Sequence, residues 1–258
     1  MGINKKLLIL GRIIIILIII GQGCFDFYQF RQKNTNIQFQ LNNLQKDLKN
    51  ARENLDPSSI IAKWRPFVAH VKCDFDDGSS VTGSGLLTSY SKTNNICIVT
   101  NKHVIVGDSG QNPVSCEFQL PGNTNIYPIS INGSSINQNV DLGLLRIANP
   151  DDYIKNLIST ISNYIFCRKT LTSLGNRIVI LGYPVNGSQT DITATEGIIS
   201  GYDGNYYITS AKIEHGNSGG VAILENQNCY IGIPTFSDIG SIESLGRILE
   251  VDAMPIFN

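Results

Sequence analysis

Short apolar runs, separated by Gly, Asn, Asp and Pro, fill the chain from residue 63 onward. Runs of this length bounded by turn-forming residues predict β-strands, and many short strands with frequent turns are typical of sandwiches and barrels. One set of runs lies at residues 67–73, 85–88, 95–100, 115–120, 126–131 and 142–147. A second set lies at residues 177–181, 191–200, 206–213, 221–224, 229–233 and 247–251. The pattern predicts an all-β region built in two halves.

A helical pattern separates the two halves. The apolar residues that follow Pro150 and Asp151 recur at helical spacing, namely Tyr153, Ile154, Leu157, Ile158 and Ile161. This spacing predicts a crossover helix between the halves.

The first thirty residues carry a different pattern, in which Lys5 and Lys6 precede an unbroken apolar run at residues 13–20. Positive charge ahead of an apolar stretch favours an N-terminus that stays in the cytoplasm while the following chain crosses the membrane. We therefore expect a signal-anchor or transmembrane segment over residues 1–30. The rest of the chain would then be membrane-anchored and extracytoplasmic, in the periplasm or outside the cell.

The fate of this segment is open from the sequence. Residues 13–20 alone have the length of a signal-peptide core, and residues 7–23 are barely long enough to span a bilayer. Arg12 would cost about 2.5–3.5 kcal/mol at the centre of the longer span. Retention is the favoured interpretation. Gly21 and Gly23 have the small-residue spacing that a signal peptidase reads, which would give a secreted protein, and Cys24 offers a lipidation site.

Heptad spacing follows the apolar segment. The apolar residues lie 4, 3, 4, 3 and 4 positions apart, at Ile37, Leu41, Leu44, Leu48, Ala51 and Leu55, and the pattern ends at Asp56 and Pro57. Residues 31–59 are therefore predicted to form a helical, coiled-coil-like stalk and linker, with a homo-oligomer forming through residues 37–55. An amphipathic linker helix that packs on its own domain is an equal alternative, because three heptads are near the lower limit for association.

Length and charge limit the function classes. The chain has 258 residues with 42% hydrophobic and 16% charged content, enough for one substantial domain over residues 60–258. Residues 57–258 carry twelve Lys and Arg against seventeen Asp and Glu. A region that is mildly acidic lacks the basic stripe that nucleic-acid binding needs. We expect no nucleic-acid partner.

Candidate chemistry centres on the sequence Gly-Asn-Ser-Gly-Gly at residues 216–220. Glycines on both sides of Ser218 let the backbone turn sharply, so that the hydroxyl projects while the N–H groups of Gly216 and Ser218 point at one spot. These two donors would form an oxyanion hole. Because a serine is a weak nucleophile at its own pKa, this interpretation requires a base and a group that orients the base.

His103 and Asp141 are the candidates for these roles. In residues 98–104 an apolar strand-like run ends in a polar turn that carries His103. In residues 140–147 Asp141 opens another apolar strand-like run. The chain has three histidines. His70 lies within an alternating run and resembles a strand side chain, and His215 is too close to Ser218 in sequence to serve as its base. Taken singly, each motif could be an ordinary turn or cap. Their order along the chain, His, Asp and Ser, makes a stronger joint signal.

That order is the order of the chymotrypsin-like serine peptidases. The segments Gly83-Ser84-Gly85-Leu86-Leu87 and Tyr230-Ile231-Gly232-Ile233 further resemble the bacterial HtrA/DegP branch, over about residues 60 to 256. The resemblance implies two six-stranded antiparallel β-barrels with the active site in the cleft between them. It also implies a serine endopeptidase that acts on polypeptide substrates and needs no cofactor. A catalytically silent module that binds polypeptides is the alternative.

The same resemblance carries further expectations. Members of this branch often carry a peptide-binding PDZ module after the peptidase domain, and we expect none in this polypeptide. Lys212 stands where trypsin-like enzymes place the residue that selects the substrate side chain, and it could favour an acidic residue or point to solvent. Ile213 is expected to line the pocket, His215 could lie at the pocket mouth, and Thr235 belongs to a run that resembles the substrate-pairing strand.

The cysteines fit an exported domain. Within the barrel topology we expect Cys73 to pair with Cys116 and Cys167 with Cys229, which leaves Cys97 as a buried thiol. The sequence shows no Cys-x-x-Cys pair or His-x-x-x-His cluster, so we expect no metal site.

Overall fold

The computed structural model describes residues 3–54, 56–90, 95–107, 110–160, 166–188, 190–239 and 244–255. The chain divides into two compact units, Met1–Glu53 and Asn54–Asn258. Of the residues used in the sequence predictions, Leu55 and Ile161 lie outside the described residues.

The first unit is one long helix, α1 (Ile3–Asn54). The heptad side chains Ile37, Leu41, Leu44 and Leu48 are between 44% and 63% exposed. None of the helices in the described residues is both long enough and apolar enough to span a membrane. The transmembrane helix expected over residues 1–30 is therefore not supported.

The second unit begins with the short helix α2 (Pro57–Trp64), which sequence analysis did not predict. Pro57 was taken as a helix breaker, but it occupies the first turn of α2, where a proline has no hydrogen bond to lose. Trp64 is fully buried beside Tyr230, and its indole Nε1 donates to Asn228 Oδ1 at 2.8 Å. These contacts attach α2 to the β-structure that follows.

The β-structure consists of two closed antiparallel barrels, which confirms the predicted fold class. The first barrel has the strand order β1-β2-β3-β6-β5-β4. Its strands are β1 (Val68–Asp74), β2 (Ser80–Tyr90), β3 (Asn95–Thr100), β4 (Ser115–Gln119), β5 (Tyr127–Ile136) and β6 (Gly143–Arg146). A short helix, α3 (Lys102–Val106), follows β3.

The second barrel has the order β10-β11-β12-β9-β8-β7. Its strands are β7 (Arg177–Gly182), β8 (Thr193–Asp203), β9 (Tyr206–Thr209), β10 (Val221–Leu224), β11 (Cys229–Ile239) and β12 (Ser244–Glu250). The predicted crossover helix is present between the barrels as α4 (Asp152–Ser159). Asp151 caps it by accepting a hydrogen bond from Ile154 N at 2.8 Å.

Three groups of buried apolar side chains hold this unit together. One group fills each barrel, and the third joins strands of both. The third group includes Val68 and Leu86 from the first barrel and Leu181 and Val221 from the second. Burial of apolar side chains from both barrels in one cluster fixes the barrels against each other, because separating them would expose that surface to water.

The disulfide expectations are confirmed. Cys73 is bonded to Cys116, its register partner in the β1–β4 ladder, and Cys167 is bonded to Cys229 at the start of β11. Cys97 is a free, buried thiol, and burial raises its pKa to about 12. A thiol with so high a pKa is inert as a nucleophile near neutral pH.

Candidate active site

His103 lies just after strand β3 of the first barrel. The strand β3 ends at Thr100, Asn101 occupies the N-cap position, and His103 is the second residue of α3. The sequence predicted a polar turn here; the structure instead has a short helix. Its buried residues Val104, Ile105 and Val106 hold it on the barrel, so the imidazole is presented at the barrel edge with 39% of its side chain exposed.

Asp141 precedes β6 and faces His103. His103 Nδ1 lies 2.7 Å from Asp141 Oδ2, and the backbone N–H of His103 donates to Asp141 Oδ1 at 3.1 Å. Both carboxylate oxygens contact His103, so the ring is held in position. Because an ionised carboxylate can only accept a hydrogen bond, this contact selects the tautomer with the proton on Nδ1. The other ring nitrogen, Nε2, is then left with a lone pair, as a general base requires.

Ser218 lies in the loop that leads into β10. Gly216 and Gly219, on either side of it, have φ angles of 95° and 87°. Such angles favour glycine, and a Cβ at Gly219 would also collide with the carbonyl oxygen of Ser84. The Ser218 hydroxyl donates to the carbonyl oxygen of Thr235 at 2.9 Å. In the described residues it makes no hydrogen bond to His103, so the structure joins His103 to Asp141 but not Ser218 to His103.

The two predicted oxyanion donors are held by their neighbouring carbonyls. Val185 N donates to the carbonyl of His215 at 2.8 Å, and Gly220 N donates to the carbonyl of Asn217 at 2.9 Å. In a trans peptide the N–H points away from the carbonyl, so these bonds fix the directions of the Gly216 and Ser218 N–H groups. Neither N–H donates to another group in the described part of the chain.

Asn101 and Thr235 link the two halves of the site. Asn101 is fully buried, and its Nδ2 donates to the carbonyl of Asp141 at 2.8 Å and to Thr235 Oγ1 at 3.3 Å. Since the Thr235 carbonyl accepts from Ser218, a continuous chain of polar contacts runs from Asp141 to Ser218. Sequence analysis missed Asn101; its only signal was a polar residue between an apolar strand and the candidate histidine.

A cleft of about 470 Å³ opens beside the His103 and Asp141 pair. It is also lined by Val106, Val140 and Tyr206. Tyr206 belongs to β9 of the second barrel, so both barrels contribute to the cleft. The pKa of Tyr206 is raised, chiefly by burial and further by the charge of Asp141.

The predicted specificity residues fall in different environments. Lys212 is exposed and its carbonyl accepts from Thr195 Oγ1 at 2.9 Å, whereas Ile213 is 5% exposed and its side chain lies over Gly246. His215 is exposed, and Thr235 is 2% exposed. Ile213 belongs to the buried apolar cluster of the second barrel. The roles expected of these four residues in substrate selection stay predictions.

Two antiparallel barrels, with a His–Asp pair on one and a glycine-flanked serine on the other, define the chymotrypsin-like class of folds. A family model described as "Trypsin-like peptidase domain" matches residues 65–233, more than half of the chain. The chain belongs to this family.

Two solved structures share this fold. The HtrA-type protease AlgW with a tripeptide matches with a TM-score of 0.58 and 20% identity, over 75% of this chain and 59% of that one. A serine-to-alanine variant of AlgW with a tripeptide matches with a TM-score of 0.59 and 20% identity, over 76% of this chain and 60% of that one. The chain therefore spans about 60% of the length of these structures. No curated protein matches it.

Proposed function

We propose that this chain is a serine endopeptidase. Ser218 attacks the substrate carbonyl, His103 accepts the hydroxyl proton and then passes it to the leaving amine, and Asp141 holds the imidazole tautomer and stabilises the imidazolium. The N–H groups of Gly216 and Ser218 receive the oxyanion. The observation that carries this proposal is the two-point contact between His103 and Asp141 on one barrel, with a serine loop on the other. Two N–H groups of that loop donate to no group among the described residues.

The serine must move for this mechanism to run. Its hydroxyl is bonded to the Thr235 carbonyl at rest, and rotation about the Cα–Cβ bond would release it toward His103. Side-chain rotations of this kind take picoseconds to nanoseconds where they are unhindered, so the resting contact does not oppose catalysis on the timescale of turnover.

The test is peptide cleavage together with labelling by a fluorophosphonate, which reacts with activated serines. Ser218→Ala should remove labelling and lower kcat by about 10⁶-fold while the protein stays folded. Ser210→Ala, at an exposed serine of the same barrel, is the matched control and should keep both. Undiminished cleavage by Ser218→Ala would overturn the assignment.

A second candidate function is a peptidase-fold module that binds polypeptides without cutting them. The observation that favours it is the Ser218 hydroxyl, which is bonded to Thr235 and not to His103. The fluorophosphonate separates the two candidates: a silent module would bind a peptide but leave Ser218 unlabelled.

We further propose that the peptidase acts on polypeptides outside the cytoplasm. The two disulfides support this location, because disulfides persist in oxidising compartments and are rare in the cytosol. A cysteine-alkylation assay tests it, on protein from acid-quenched cells that is denatured so that buried thiols react: a single alkylated cysteine, Cys97, is expected in the 54–258 unit, and five would argue for the cytosol. Whether an N-terminal segment anchors the protein stays a prediction, for which carbonate extraction of membranes is the measurement.

Self-association through α1 is the remaining proposal. It is supported by the exposed apolar side chains at heptad spacing, which a partner helix would cover. Leu44→Asp in the full chain should shift the sedimentation coefficient to that of a monomer. Asn43→Asp, outside the heptad positions, is the control. A wild-type chain that already sediments as a monomer would contradict the proposal.

A further inference from the structure

Ser84 belongs to β2 of the first barrel, but its hydroxyl is bonded to the second. The residue is fully buried. Ser84 Oγ donates to the carbonyl oxygen of Gly216 at 2.6 Å and accepts from the backbone N–H of Tyr183 at 2.8 Å. One hydroxyl therefore satisfies two buried backbone groups on two segments of the other barrel.

The backbone of Ser84 is also fully engaged. Its N–H donates to the carbonyl of Ser218 at 2.7 Å, and its carbonyl accepts from Thr100 Oγ1 at 2.7 Å. Thr100 ends β3, two residues before α3 begins. The segment that carries His103 therefore fixes Ser84. Ser84 in turn holds the serine loop through its bonds to the carbonyls of Gly216 and Ser218.

These bonds hold successive peptide units of the loop. The carbonyls of His215 and Asn217 are bonded to the backbone N–H groups of Val185 and Gly220. Between them, the carbonyl of Gly216 is bonded to Ser84 Oγ. The Gly216–Asn217 peptide links the two oxyanion donors, so its orientation determines whether both N–H groups face the same point.

The hydroxyl has little freedom to adjust. A Cβ built on Gly182 would lie 2.9 Å from Ser84 Oγ and 2.7 Å from Asn217 Oδ1, so the space around these groups is filled. Asn217 is 1% exposed. The N–H of the Gly216–Asn217 peptide donates to the carbonyl of Glu214 at 3.0 Å, so two hydrogen bonds hold this peptide. Ser84 supplies the bond on its carbonyl side, in a packed position from which water is excluded.

We propose that Ser84 is a positioning residue for the oxyanion hole: its hydroxyl holds the Gly216–Asn217 peptide so that the N–H groups of Gly216 and Ser218 converge on the substrate oxygen. The proposal rests on the serine peptidase function proposed above. Ser84 does not touch the substrate. Its effect should therefore appear in the transition state and not in substrate binding.

The test is Ser84→Ala, assayed at a temperature at which the variant is folded by circular dichroism. We expect kcat to fall by about 10- to 100-fold with KM within about threefold of wild type, because misplaced donors weaken only the transition state. The affinity for a peptidyl trifluoromethyl ketone, which forms an oxyanion adduct, should fall by a similar factor. The affinity for a product peptide should not change.

Thr172→Val is the matched control. Thr172 is also a buried hydroxyl, bonded to the carbonyl of Lys169 at 2.8 Å, outside the serine loop. The Thr172→Val substitution should lower the free energy of unfolding without changing kcat. If Ser84→Ala does not fold, Ser84→Cys replaces it, since a thiol fills the site with a weak hydrogen-bond donor and should show the same kcat loss.

The outcomes are distinguishable. A folded Ser84 variant with kcat within twofold of wild type, or with kcat and product affinity lowered together, overturns the positioning role and leaves the peptidase function standing. A wild-type protein that neither cleaves peptides nor reacts with a fluorophosphonate overturns both proposals.

Discussion

The two barrels differ in whether their candidate catalytic side chains are already hydrogen-bonded to each other. On the first barrel, His103 and Asp141 are 38 residues apart and already joined by two hydrogen bonds. On the second barrel, the Ser218 hydroxyl is bonded to Thr235, and the loop around it is held by contacts that cross from the first barrel. The comparison teaches that the candidate acid–base pair is built within one barrel, while the loop of the candidate nucleophile depends on the contact between the barrels.

The largest effect is expected on the first barrel, from Asp141→Asn. An amide cannot stabilise the imidazolium and would favour the wrong imidazole tautomer, so kcat should fall by about 10⁴-fold. Steady-state kinetics on a peptide substrate measures this. Asp152→Asn, at an exposed acidic residue of α4, is the control. A loss below tenfold for Asp141→Asn would show that the preassembled pair is not the catalytic one.

The second barrel is tested by Gly219→Ala. The strained φ of 87° costs about 1–3 kcal/mol for a residue with a Cβ, and the collision with Ser84 adds about 1–3 kcal/mol more. Gly175→Ala is a close control, because Gly175 has a φ of 82° with nothing within 4 Å of an added Cβ. Denaturant unfolding should give a larger loss for Gly219→Ala. Equal losses would mean that the serine loop is not held by the first barrel.

Asn101→Ala removes the polar link between the halves and should have an intermediate effect. It deletes the bonds to the Asp141 carbonyl and to Thr235 Oγ1, which keeps its bond to the Ile233 carbonyl. Loss of the two bonds should cost about 1–3 kcal/mol of unfolding free energy. Thermal unfolding measures the loss, with Asn125→Ala, an exposed amide, as the control. An Asn101→Ala variant as stable as wild type would show that this polar link contributes nothing to the stability of the protein.

The sequence predicted those features that depend on local pattern. The runs at residues 95–100 and 221–224 coincide with β3 and β10, because each is a short apolar run with turn-forming residues on both sides. The sequence predicted the start of α4 at Asp151, because the N-cap hydrogen bond joins Asp151 to Ile154 within the first turn of the helix. The candidate residues His103, Asp141 and Ser218 came from local motifs and from their order along the chain. The two closed barrels came instead from the family resemblance, because spacing alone cannot show which strands meet.

Other features could not be predicted because their partners are distant in sequence. Ser84 was read as part of a glycine motif, but its role depends on a hydrogen bond to Gly216, 132 residues away. Helix α2 was missed because Trp64 is buried by contacts with Asn228 and Tyr230. These partners are distant in sequence, so no pattern near Trp64 predicts the contacts. The resting contact of Ser218 with Thr235 likewise depends on how β11 lies beside the loop.

The smallest expected effect is a change in the pH dependence of the unfolding free energy, and it concerns a contact between the two barrels. His70 of β1 stacks on Tyr183, which follows β7, with ring centroids 4.9 Å apart. Burial lowers the pKa of His70 below its usual value near 6.5. The unfolded chain therefore binds a proton at this site more readily than the folded protein, so stability falls as the pH drops through the unfolded pKa and is fully present above it.

His70→Phe keeps the ring stack but removes the titration. Urea unfolding at pH 7.5 and pH 5.5 should show a smaller loss of stability on acidification for this variant than for the wild type. His215→Gln, at an exposed histidine, should lose as much as the wild type. If His70→Phe and the wild type lose equally, protonation of His70 does not weaken the barrel contact. The dependence of the serine loop on its neighbouring barrel would then rest on Ser84 and Asn101, which do not titrate.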